Sequence, residues 1–156
     1  MQTQNYYQHP KVLINIIIIN SRETKMLFVK RRSKAYWDIL GHILEYGETI
    51  DQRLKEILDE TKSEDENIEK KLKFLCSFNA VDKDKKRHFV ELIYAYKIDV
   101  GKKFLVDKDK FKSWTWMNME EIKKDQIFYG LEIFFKKYKI KEIKDILINI
   151  IISLSF

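Results

Sequence analysis

Residues 11–19, KVLINIIII, constrain this chain more than any other stretch. A run that is almost continuously apolar and rich in β-branched side chains reads as a strand covered on both faces. Asn20 to Thr24 break the run and Met26 to Val29 resume it, so residues 11–30 read as a hairpin or two adjacent strands.

Gly41 and Gly47 come next, two of only four glycines. A sequence so sparing with glycine places it where the backbone needs positive φ or a close approach. The segment 49–63, TIDQRLKEILDETKS, then carries a helix signature. Thr49 with Gln52 forms a capping box, and Ile50, Leu54, Ile57 and Leu58 form an apolar stripe. Residues 63–69 read as a charged loop. Leu72 to Asn79 and His88 to Val100 read as two strands joined by a lysine-rich turn. Gly101 to Lys112 reads as an exposed loop, Ser113 to Met117 as a further strand, and Ile127 to Tyr138 as an amphipathic helix. Alternation puts Trp114 and Trp116 on the same face of their strand.

Glu56, Asp59 and Glu60 share one face of the expected helix. Like charges at that spacing repel, and a hard divalent cation would relieve them. Spacing alone is equally met by a solvated acidic face. The net charge of +6 suits polyanionic partners such as nucleotides or RNA. The lysines are nevertheless spread along the whole chain, which fits a solvated surface better than a dedicated nucleic-acid face. A single cysteine, Cys76, forbids an intramolecular disulfide and a cysteine zinc site, and points to a reducing, intracellular and most simply cytoplasmic location. Residues 1–10 lack the basic start and apolar core of a secretory signal; the lack of arginine there disfavours mitochondrial import but leaves it open. The tail from Asp145 to Phe156 is near-apolar but shorter than the roughly 20 residues needed to span a bilayer. It reads as a helix end packed on the domain or as a docking segment for a partner, a second copy or a membrane surface.

The order strand, glycine loop, acidic helix is similar to the Nudix family, whose box reads G-x5-E-x7-R-E-U-x-E-E-x-G-U. Lys55-Glu56-Ile57-Leu58-Asp59-Glu60 resembles R-E-U-x-E-E, and the distance from Gly41 to Lys55 equals that of the box. The isolated glutamate comes one place late, at Glu48. Leu40 stands for the usual proline, His42 for the second glycine of the loop, and Lys62 for the closing glycine. SWTWMNMEEI (113–122) and DQIFYGL (125–131) look like segments of the nucleotide-diphosphatase, MutT-like branch, and VKRR (29–32) occupies the place of a basic turn.

The resemblance implies an α/β fold, an α/β/α sandwich with a mixed sheet, spanning residues 11–138. Residues 1–10 would be a flexible tail and 139–156 a helical apolar extension. It implies Mg²⁺-dependent hydrolysis of the diphosphate linkage of a nucleoside di- or triphosphate or a nucleoside diphosphate derivative, with Mn²⁺ as a substitute metal. The Gly41 carbonyl, Glu56, Asp59 and Glu60 would hold the metal, with Glu60 or Glu56 as base. Lys55 and Glu48 would stand in for the family's arginine–glutamate brace. Arg31 would meet a phosphate oxygen, Glu91 would add an acidic group, and Trp114 would stack on a base. The plainer readings are a surface arginine, a solvated strand-edge glutamate and core tryptophans, Trp116 above all. His42, His88 and Cys76 receive no chemistry. A second function, suggested by the altered box and the apolar tail, is a catalytically weakened binding or structural subunit of a larger assembly; RNA decapping is a third.

Overall fold

The side chains of the first strand alternate between two cores. In the computed structural model, β1 runs Lys11–Ile19. Residues 9–20, 22, 25–99, 101–118, 121, 123, 126–138, 142, 145 and 149 are described. Ile14, Ile16 and Ile18 pack in one core with Leu54, Ile57 and Leu58 of α1 (Ile50–Asp59). Ile17 and Ile19 pack in the other with Leu131 and Phe134 of α3 (Tyr129–Lys137). A central strand apolar on both faces therefore holds a helix on each side, which makes the α/β/α sandwich.

The sheet contains β1, β2 (Lys25–Arg31), β3 (Leu40–Ile43), β5 (Lys73–Asp82), β6 (Arg87–Lys97) and β8 (Phe111–Asn118). Its order is β5-β6-β1-β2-β8, with β3 also on β1. Among these strands β1 and β6 pair in parallel and the other pairs are antiparallel, so the sheet is mixed. β1 meets β2 at Ile19↔Met26 and takes β3 as partner along Leu13 to Ile16. That divergence sets Gly41 of β3 directly opposite Asn15.

Two sequence expectations change together. The helix stops at Asp59 instead of reaching Ser63, because Thr61–Ser63 forms β4 and pairs with β7 (Phe104–Val106). Residues 101–112, expected as an exposed loop, thus contain a strand whose Phe104 and Val106 are buried, followed by buried Phe111 at the start of β8. A three-residue strand set among lysines is too short for its alternation to stand out. Glu60 becomes the C-cap of α1, and its carbonyl accepts the Asp107 N–H at 2.8 Å. Between β4 and β5 lies the short helix α2 (Ile68–Lys71), in a segment read as loop. Residues 1–8 and most of 139–156 lie outside the described residues, so the tail expectations belong there. Among the described residues no helix is long and apolar enough to cross a membrane.

Candidate active site

The bend before α1 is tight for identifiable reasons. A Cβ on Gly41 would meet Asn15 Oδ1 at 2.1 Å and the Ile14 carbonyl oxygen at 2.8 Å, so this position tolerates no side chain. Gly47 has φ +85°, the left-handed region that glycine enters freely. The capping box forms as expected: the Gln52 N–H donates to Thr49 Oγ1, and the Thr49 N–H donates to Gln52 Oε1.

The brace between bend and helix uses a different residue from the one the motif count selects. Arg53, not Lys55, holds Glu48: its Nε donates at 2.9 Å to Glu48 Oε2, and its Nη2 donates to the same oxygen. Its Nη1 donates at 2.8 Å to Glu56. Lys55 is exposed. Arg53 lies on the buried side of the helix, where a planar fork can serve two carboxylates at once. The Glu45 backbone N–H is the largest influence holding the Glu48 carboxyl below its ordinary range, with Arg53 adding to it.

The three helix carboxylates part company. Glu56 and Asp59 are exposed, whereas Glu60 is 2% exposed and faces inward. Among the described residues, no three His, Cys, Asp or Glu side chains gather as a metal cluster. Glu60 instead meets nitrogen donors. Arg31 Nη2 donates at 2.8 Å to Oε2, Arg31 Nη1 at 3.3 Å to Oε1, and Lys110 Nζ at 3.4 Å to Oε1. His42 Nε2 lies 2.6 Å from Oε1. The same ring nitrogen lies 3.1 Å from Arg31 Nη2, so His42 borders both members of the ion pair. His42, which had no role by sequence, is thus a direct partner of the innermost of the three helix acids. Its signal was its place, on the second glycine of the loop. Burial pulls the Glu60 pKa up, but His42 and Arg31 outweigh it and hold the group down at about 2.

Arg31 Nη2 also donates at 3.1 Å to the Gly41 carbonyl. One positively charged nitrogen therefore sits between two of the four expected metal donors. Hard oxygen ligands converging on one positive point suit a divalent cation, which takes one or two carboxylates and completes its shell with substrate phosphates. On that ground Gly41 and Glu60 fit such an ion, with Glu56 and Asp59 nearby on the exposed side of the same helix.

A cleft of about 310 Å³ opens beside these groups. Arg31, Lys34 and Arg53 supply charge, and Tyr36, Phe89 and Phe128 supply aromatic surface. The Tyr36 and Phe128 rings are 5.5 Å apart. Asp38 also lines the cleft; burial pushes its pKa up to about 7 against the opposing Ile39 N–H, Arg31 and Lys34. Trp114 does not line this cleft, and both Trp114 and Trp116 pack half-buried against the α1-side core. A larger hollow of about 550 Å³ lies at the β5–β6 hairpin, lined in part by Lys11, Lys83, Lys86 and Arg87. Gly41, His42 and Arg31 line the smaller cleft.

Glu91 is not a solvated edge residue. β6 lies between β5 and β1, and Glu91 is 1% exposed. Asn15 Nδ2 donates to its Oε2 at 3.0 Å, while its Oε1 has no hydrogen-bond partner among the described residues. A Cβ on Gly130 of α3 would lie 1.9 Å from that Oε1, which accounts for the glycine. Burial raises the Glu91 pKa to about 8, and the charge of Asp38 pushes the same way.

A model of the NUDIX domain matches residues 9–137. Among solved structures, the fold is similar to a MutT NUDIX hydrolase from Burkholderia pseudomallei, with 17% identity, a TM-score of 0.60, and 81% of this chain and 95% of that one covered. It is similar to the NUDIX domain of Shewanella oneidensis NrtR complexed with ADP ribose, with 14% identity, a TM-score of 0.63 and 90% of each chain covered. A bifunctional NMN adenylyltransferase/ADP ribose pyrophosphatase from Francisella tularensis, complexed with AMP and a Mn ion, shares 18% identity at a TM-score of 0.60. There 85% of this chain aligns but only 43% of the larger one. No curated relative matches the sequence. With the family model spanning most of its length, the chain belongs to the Nudix family.

Proposed function

We propose that the cleft binds a nucleoside diphosphate derivative and that the domain hydrolyses its diphosphate linkage with Mg²⁺, or Mn²⁺ in its place. The observation that carries this reading is the convergence of the Gly41 carbonyl and the Glu60 carboxylate on a single positive charge. The ADP ribose and AMP complexes of the two fold neighbours support the substrate class.

Bound at Gly41 and Glu60, the ion would polarise the diphosphate and lower the pKa of an attacking water. Glu56 or Glu60 would accept that water's proton as its oxygen attacks phosphorus and the bridging P–O bond breaks. Arg53 holds the Glu56 carboxylate in place through the hydrogen bond from its Nη1. Arg31 and Lys34 would draw the phosphates in, and Tyr36 with Phe128 offers an aromatic face on which a nucleobase can stack.

The test is purified protein with Mg²⁺ and a panel of nucleoside triphosphates, diphosphates and ADP-ribose, followed by release of AMP, phosphate or pyrophosphate. Glu60→Gln should lower kcat/KM by about a hundredfold or more. Turnover that survives this change refutes the role of Glu60 as ligand and base. The engagement of both Glu60 oxygens by Arg31, His42 and Lys110 favours a second reading, a catalytically weakened binding module. That module would bind nucleotide with the same heat whether or not Mg²⁺ is present.

A further inference from the structure

We infer that Arg31 is the resident cation of this site, holding the position between Gly41 and Glu60 until an anionic substrate draws its guanidinium away. Metal and substrate then enter together. This rests on the proposed metal placement at Gly41 and Glu60 and adds a control to it.

Four observations carry the inference. Arg31 Nη2 makes contacts of 3.1 and 2.8 Å to the two oxygens a metal would need, so it stands at the point between them that a metal would take. The guanidinium is held in place: it lies over the Phe111 ring at 4.7 Å to the centroid, and Phe111 is 1% exposed. The backbone sets this contact, because the β2–β8 register shifts between Lys30 and Arg31 and places Arg31 opposite Phe111. Finally, Arg31 lines the same cleft as Lys34 and Tyr36, so a phosphate entering there lies beside a guanidinium suited to its geometry. Moving the fork from carboxylate to phosphate exchanges its two charged hydrogen bonds to Glu60 for two others and frees the Gly41 oxygen and Glu60 Oε2, while His42 and Lys110 stay on Oε1. Binding coupling is reciprocal, so metal and anion should raise each other's affinity by the same factor.

Mn²⁺ binding to the full chain, followed by the loss of the free-ion electron paramagnetic resonance signal, tests this without turnover. The wild type should bind Mn²⁺ weakly alone and at least tenfold more tightly with α,β-methylene-ADP, after subtraction of the Mn²⁺ that the nucleotide chelates without protein; adenosine, which lacks phosphate, should have no such effect. Arg31→Gln should bind Mn²⁺ at least tenfold more tightly than wild type without nucleotide, and Mn²⁺ should raise its Tm more. Arg31→Lys, which keeps the charge without the fork, should fall between them and carries the test if the glutamine variant does not fold. Mn²⁺ affinity in both variants no higher than in the wild type overturns the inference. Glu60→Gln separates the two ideas. If it weakens Mn²⁺ binding while the Arg31 variants change nothing, only the resident-cation role fails; if it leaves Mn²⁺ binding intact, the metal placement beneath it fails as well.

Discussion

Arg53 reaches from the first turns of α1 back to Glu48, so that one guanidinium ties the entrance of the helix to the bend before it and to Glu56 one turn on. Lys55 stands exposed two residues away. Arg53→Met should therefore lower kcat/KM about tenfold and Tm by about 3 °C or more. Lys55→Met should stay within about 0.5 kcal/mol of the wild type in stability. Equal damage from the two substitutions in denaturation and rate measurements would return the brace to Lys55.

Gly41→Ala places a methyl group against both a side chain and a main-chain oxygen. Overpacking of this kind costs about 1–3 kcal/mol. Adding Asn15→Ala should recover only part of the loss, because the Ile14 carbonyl remains in the way. Urea unfolding of both variants measures this, and a Gly41→Ala protein as stable as the parent contradicts the close approach.

Glu91 and Asp38 link the cleft to pH. Burial raises both carboxyls, to about 8 and about 7, whereas unfolded glutamate and aspartate titrate near about 4. The folded chain therefore keeps protons that the unfolded chain releases, and stability falls as pH rises from about 4 toward about 8. Melting without metal between pH 5 and 8 should show Tm falling by about 5 °C or more. Glu91→Gln should flatten that slope, and an unchanged slope would mean that Glu91 is charged in the fold.

Asp65 carries the opposite sign. Burial raises it, yet Lys71, Tyr96 and the Asn67 N–H bring it down to about 2. Its stabilising contribution is complete above the unfolded value of about 4 and is lost as pH falls through about 2. Tyr96→Phe removes the hydroxyl that donates to Asp65 from a side chain 2% exposed. It should cost about 1–3 kcal/mol at neutral pH by chemical denaturation. A neutral effect would show that Lys71 alone suffices.

Local periodicity made much of the architecture readable. The apolar run of β1, the Thr49–Gln52 box, the Leu54, Ile57 and Leu58 stripe and the shared face of Trp114 and Trp116 all follow from spacing within one element. The site was harder because its decisive pairs join distant segments. Arg31 meets Glu60 across the fold, and Asn15 meets Glu91 between parallel strands. Arg53 was missed because motif counting rewards position, whereas the brace is chosen by which side of the helix is buried. β4 and β7 were missed because three residues are too few to establish a period.

Asn15 is the one polar residue within the apolar body of β1 and is 3% exposed. With isoleucine on both sides of the sheet, sliding this strand by a single residue would exchange the two faces at little hydrophobic cost. The same slip would strand an amide in hydrocarbon and leave Glu91 without its donor. A single carboxamide thus sets the alignment of the central strand, and with it the depth at which Gly41 and Glu91 stand in the molecule.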